Sequence, residues 1–146
     1  MQGDNRTIIQ EFVDEVWNKR RVDAVDTHFT IGAVIHDPSA PAVTNVERLK
    51  ALIAAQLAAF PDLRCVLEDC FAAEEKVATR WTMHGTQKGP FWGVAPTERP
   101  VTITGLTYYR LHSGKIAEYW THTFPPFPTS SWRKGSRNSV FEYSLI

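Results

Sequence analysis

The chain is short of the residues on which much cofactor chemistry depends. Only two cysteines occur in its 146 residues, Cys65 and Cys70, and no Cys/His grouping has the spacing of a metal site. There is no phosphate loop and no Gly-x-Ser-x-Gly elbow. Net charge is zero, with 16 acidic and 16 basic side chains spread along the chain, so the basic face expected of a nucleic-acid partner is missing. No apolar run approaches the roughly 20 residues of a membrane span. The polar N-terminus passes straight into an amphipathic helix, and no secretory leader is visible. Cys65 and Cys70 are five positions apart, an odd step, so on one strand they point to opposite faces and cannot pair there. Reduced thiols in a cytoplasmic setting are the expectation.

What the sequence does have is aromatic side chains, five Trp, eight Phe and four Tyr, and one strongly punctuated stretch. Phe91-Trp92-Gly93-Val94-Ala95-Pro96-Thr97-Glu98-Arg99 follows Gly85-Thr86-Gln87-Lys88-Gly89 and precedes Gly114-Lys115-Ile116-Ala117-Glu118. Glycine and proline mark places where the backbone turns or is closely approached. Here they carry aromatics between strand-like runs, as the rim of a pocket would.

The periodicity divides the chain in two. Ile8, Phe12 and Val16, with Ile9, Val13 and Trp17 beside them, form a helical stripe ending near Asn18. A short helix is predicted over Val22 to Phe29, a short strand over Ala33 to His36, and a third helix from a capping box at Thr44-Asn45-Val46-Glu47 to Phe60. Pro61 stops that helix, because it disfavours helical geometry in the residue before it. Strands are then predicted over Leu63–Ala72, Val77–Thr86, Pro100–Leu111 and Lys115–Phe124, the last two joined by a hairpin with Gly114 at its positive-φ position. Helices first and antiparallel strands afterwards give an α+β domain with helices on one sheet face. Residues 1–124 are expected to form that single domain, and residues 125–146 a Pro-rich tail that covers the pocket, packs against a partner subunit or is partly disordered.

Taken in order, Phe60-Pro61-Asp62-Leu63, Gly85-Thr86, Gly89-x-Phe91-x-Gly93, Pro96-Thr97 and Gly114-Lys115-Ile116-x-Glu118-x-Trp120 resemble the SnoaL-like polyketide cyclases, or ester cyclases. Glu15-Val16-Trp17-Asn18 fits too, and the match runs from about residue 5 to residue 122. The resemblance implies the nuclear transport factor 2-like cone, three helices against a strongly curved antiparallel sheet around an apolar cavity. It also implies homodimers through the sheet, and ring closure by proton transfer with no metal and no cofactor. The departures are informative. The family's acid–base aspartate falls on Thr121 here, and a histidine partner found in some members falls near Thr107. A threonine hydroxyl titrates far above neutrality and cannot act as a free-standing general base.

Candidate acid–base groups must therefore be sought elsewhere. His36, at the end of the short strand, titrates in the right range and leads; His122 is second, although alternation from Thr121 turns it away from the cavity unless a bulge intervenes. Asp62 and Glu68 could supply a buried carboxyl of raised pKa, Asp69 being Glu68's alternative, and Arg80 stands ready to pair with whichever faces it. Phe60, Trp81, Phe91, Trp92, Thr107, Tyr109, Tyr119 and Thr121 are the expected walls and positioning groups. Ordinary core packing competes most strongly at Trp81 and Phe60. These readings point to a cofactor-independent cyclase or isomerase of secondary metabolism acting on an apolar polyketide- or terpenoid-like small molecule. The alternatives are a non-catalytic binding domain of the same fold, or a hydrolase or dehydratase built on a carboxylate pair.

Overall fold

The computed structural model describes residues 3–91 and 93–124. The tail and Trp92 lie outside the described residues. Helix α1 (Gly3–Val13) is followed by a π-helical turn, Asp14–Asn18, closed by the Lys19 amide donating to the Asp14 carbonyl at 2.8 Å. A 3₁₀ turn (Val22–Ala24) leads into α2 (Val25–His28), then strand β1 (Phe29–His36), helix α3 (Val46–Ala59) and strands β2 (Arg64–Ala73), β3 (Lys76–Thr86), β4 (Pro100–His112) and β5 (Lys115–Phe124). The helices pack on one face of a five-stranded sheet ordered β1-β5-β4-β3-β2.

Two boundaries depart from the periodicity. The second helix ends at His28, and β1 begins at Phe29, four residues earlier than the apolar run Ala33–Ile35 suggested. The sheet is not wholly antiparallel either, since β1 runs parallel to β5, with Val34, Ile35 and His36 opposite Glu118, Tyr119 and Trp120. Cap geometry is also more specific than the sequence box. Asn45, rather than Thr44, supplies the N-cap of α3, its Oδ1 accepting the Arg48 amide at 2.9 Å. The β4–β5 hairpin turns through Ser113 and Gly114, at φ 51° and 80°, the pair of positive values that a type I′ turn demands.

Side chains bind the layers together where the backbone ladder cannot. The Asn18 carboxamide donates to the Cys65 carbonyl at 3.0 Å and accepts the Cys65 amide at 2.8 Å, so it satisfies both backbone groups of that β2 residue. Arg20 donates to the carbonyls of Leu57 at 2.7 Å and Phe60 at 3.0 Å, closing the C-terminus of α3.

Gln87 does the same for the loop between β3 and β4. It is fully buried, and its Nε2 donates to the carbonyls of Gly89 at 3.1 Å and Val94 at 3.0 Å. Lys88 and Gly89 in turn donate to the Ala59 carbonyl at the end of α3. Replacing Gln87 by Leu leaves two loop carbonyls without their donor. We expect a loss of about 1–3 kcal/mol, seen as a lower melting temperature together with faster amide exchange in residues 88–98.

Candidate active site

Inward-facing residues of β2–β5 meet α1, its π turn and α3 around a cavity whose open space, mouth included, is about 750 Å³. Alternation along the strands supplies the walls. Ile103, Thr107 and Tyr109 come from β4, Tyr119, Thr121 and Thr123 from β5, and Trp81 and Met83 from β3. The helices add Phe12, Trp17, Leu49, Ile53 and Gln56. A smaller apolar chamber, its open space about 320 Å³ with the mouth included, adjoins it beneath the loop, bounded by Phe60, Leu63, Gly85, Phe91 and Val101 and sharing Gln56, Met83 and Ile103 with the main cavity.

Polar groups enter this apolar space at three places. One is a chain of donors across β3, β4 and β5. The Trp81 indole donates to Thr107 Oγ1 at 2.8 Å, and Thr107 and Thr121 share a 2.7 Å hydroxyl bond. The second is the Trp17 indole, which donates to Gln56 Oε1 at 3.1 Å. The third is the turn after β1, where Asp37 and Ser39 line the cavity and the Ser39 and Thr123 hydroxyls lie 3.1 Å apart.

Asp37 is the one carboxylate among the lining residues. Burial disfavours its charged form and pushes its pKa above the ordinary carboxylate value. The Ser39 amide, donating to Oδ1 at 2.9 Å, and the nearby His122 oppose that shift without cancelling it. The phenols of Tyr109 and Tyr119 are fully desolvated and held well above their usual range, so they remain protonated donors. The Cys65 thiol is pushed up to about 12 by burial, which rules out an easily formed thiolate.

The residues singled out from sequence divide into three groups. Trp81, Thr107, Tyr109, Tyr119 and Thr121 line the main cavity, and Phe60 and Phe91 the smaller chamber. His36, His122, Asp62 and Glu68 are exposed and line neither. His36 stacks on Trp120 with ring centroids 5.1 Å apart and pairs with Glu118 at 2.7 Å. Asp62 accepts the Thr86 amide at 2.7 Å and hydroxyl at 2.9 Å; those bonds hold its pKa below the ordinary value and tie the start of β2 to the end of β3. Glu68 is the extra residue of a bulge in β2 and accepts the Thr82 hydroxyl at 2.9 Å, while its neighbour Asp69 takes Arg80 at 2.7 Å. Trp92 lies outside the described residues.

The cavity also takes in Asp37, which lies just past the predicted end of the short strand at His36 and was not among the sequence candidates. The signal was the alternation itself: Ala33 and Ile35 are buried, Val34 and His36 are exposed, and position 37 continues the inward set. Gln56 lies within the third helix with no motif to mark it. Trp17 and Met83 were likewise passed over.

Three helices packed on a five-stranded, mainly antiparallel sheet, around a largely apolar cavity with one half-buried acid, define an α+β fold of the nuclear transport factor 2-like class. A family model described as SnoaL-like polyketide cyclase matches residues 7–123, and the chain belongs to that family. Among solved structures, AclR, a candidate hydroxylase from Streptomyces galilaeus, shares 26% identity over 86% of this chain and 93% of its own, with a TM-score of 0.76. A candidate SnoaL-like polyketide cyclase from Jannaschia sp. CCS1 shares the fold at 23% identity and a TM-score of 0.77, covering 99% of this chain and 94% of its own. IdmH, a candidate polyketide cyclase from Streptomyces antibioticus, does so at 24% and 0.74, covering 97% and 99%. No curated protein sequence matches the chain. No helix among the described residues is long and apolar enough to cross a membrane.

Proposed function

We propose that the protein is a cyclase or isomerase that moves protons on an apolar polyketide- or terpenoid-like ketone, with Asp37 as the general base. The observation that carries this reading is the single carboxylate, half-buried and of raised pKa, among the residues lining a largely apolar cavity. A base whose pKa is raised toward the working pH combines adequate basicity with a usable ionised fraction. Asp37 removes a proton from carbon next to the carbonyl; the C–H electron pair passes to the carbonyl oxygen as an enolate. That enolate is reprotonated at another carbon or attacks a second carbonyl. The bonded Thr107–Thr121 hydroxyl pair and the protonated Tyr119 offer polar contacts along the β4–β5 wall for other oxygens of the substrate, such as the carbonyl that is attacked. A hydrolase or dehydratase built on two carboxylates is less well supported, because Asp62 and Glu68 are engaged on the surface. Turnover can be measured without the natural substrate, as deuterium exchange at the α-carbon of 1-tetralone in D₂O followed by NMR. Exchange that persists undiminished in Asp37→Asn would sink the assignment, and His36→Ala serves as the exposed control.

The outer face of the sheet supports a homodimer. Val34, Leu106, Tyr108 and Phe124 are exposed there, and Trp120 sits between Tyr108 and His36. Contiguous exposed apolar residues on a sheet face mark an association surface. Leu106→Lys is expected to convert the dimer to monomer in sedimentation velocity; a wild-type protein that sediments as monomer removes the proposal.

A further inference from the structure

Gln56 belongs to α3, which reaches from the N-cap at Asn45 to Ala59 and forms one wall of both chambers. Its amide orientation is settled by its neighbour. The Trp17 indole nitrogen can only donate, so the oxygen it meets at 3.1 Å must be Oε1. The NH₂ group is thereby turned away from Trp17, and Nε2 has no hydrogen-bond partner among the described residues. It is also the one polar side chain lining the smaller chamber, whose other walls are Phe60, Leu63, Met83, Gly85, Phe91, Val101 and Ile103. Two N–H donors therefore stand on a wall shared by the large cavity and an apolar recess.

We infer that Gln56 anchors the substrate by its reacting carbonyl oxygen, and that the apolar arm beyond that carbonyl fills the smaller chamber. The inference rests on the proton-transfer reading above and adds to it the position of the oxygen. As Asp37 takes the proton, negative charge builds on the carbonyl oxygen, and donors already aimed at that point gain strength as it does so. Trp17 holds the amide in place, so little reorganisation is required. The arm supplies binding energy through burial, while the amide rejects molecules of equal shape that lack the oxygen, because its donors are then desolvated without a partner. The ligand class is accordingly an aryl or alkyl ketone with an apolar substituent on one side of the carbonyl.

The test compares 1-tetralone with tetralin, which has the same ring skeleton without the oxygen, by calorimetric titration at pH 8. Gln56→Glu keeps an oxygen for Trp17 but replaces the donors with an acceptor; Gln56→Met removes both. The ratio of ketone to hydrocarbon affinity should fall tenfold or more in both variants, with the melting temperature of Gln56→Glu held close to wild type. A ratio that does not depend on residue 56, including a wild type with no preference for the ketone, overturns the inference. The two readings fail separately. Loss of deuterium exchange in Asp37→Asn with an unchanged affinity ratio in Gln56→Glu removes only the anchor. Exchange that survives in Asp37→Asn removes only the base, and the ratio then decides the anchor by itself.

Discussion

Asp37→Asn should lower the rate of 1-tetralone exchange by about 10²- to 10⁴-fold, the range that one positioned acid–base group contributes, without lowering stability at neutral pH. The two expectations follow from the same environment. Asparagine keeps an Oδ1 for the Ser39 amide, which now meets the carboxylate at 2.9 Å, so the turn after β1 retains its bond. What disappears is an ionised group in a site that disfavours charge. Because burial raises the Asp37 pKa in the folded protein, the fold favours the protonated form. The stability gained from that preference is fully present below the ordinary carboxylate pKa and is lost as pH rises through the higher folded value. Near pH 7 the wild type therefore carries a cost that the variant does not, and its melting temperature should match or fall below that of Asp37→Asn. Acidification should remove that difference.

Activity runs the other way with pH. The base form of Asp37 accumulates only above its raised pKa, so kcat/KM should climb with pH along a limb whose midpoint lies above the ordinary carboxylate value of about 3.9. His122 opposes the shift through its charge, and His122→Ala should move the limb to higher pH. The measurement is a pH series of exchange rates on wild type and both variants. A limb that stays in place when Asp37 is replaced assigns it to another group.

How far the sequence reached can be judged from the two ends of this site. On β5 a single parity rule put Tyr119, Thr121 and Thr123 together, and all three line the cavity because the 107/121 pairing with β4 is regular there. The same rule, carried one residue past β1, selects Ile35 and Asp37, whereas a histidine stands out by its chemistry and not by its parity. His36 lies on the outer face against Trp120. Other features were not legible in principle. The parallel pairing of β1 with β5 joins residues more than 80 positions apart, such as Val34 and Glu118, and nothing local encodes it. Glu68 became the extra residue of a bulge, which breaks alternation without a glycine or proline to announce it. The orientation of Gln56 depends on a partner 39 residues earlier in the chain.

Gly105→Ala is expected to be the most damaging single-methyl change on the cavity wall. Gly105 stands opposite Trp81 on β3 and Thr123 on β5. A Cβ there would come within 2.2 Å of the Trp81 Cζ2 and 2.6 Å of the His122 carbonyl oxygen. The indole lies across this glycine as it reaches Thr107, 2.8 Å from its nitrogen. It therefore cannot yield without giving up that bond, and the carbonyl belongs to the β5 backbone. Overpacking a well-filled site costs about 1–3 kcal/mol and sometimes more. With two rigid neighbours the upper end applies, a fall in melting temperature on the order of 10 °C. The displaced indole would also enter the cavity and weaken 1-tetralone binding. Trp81→Phe removes the outer ring atoms that collide, so the cost of Gly105→Ala should shrink in that background. It should not vanish, because the His122 carbonyl remains. A double-mutant cycle by thermal unfolding measures the difference. Simple additivity would mean that the glycine is required for the backbone of β5 alone, with no part in letting Trp81 cross the cavity wall.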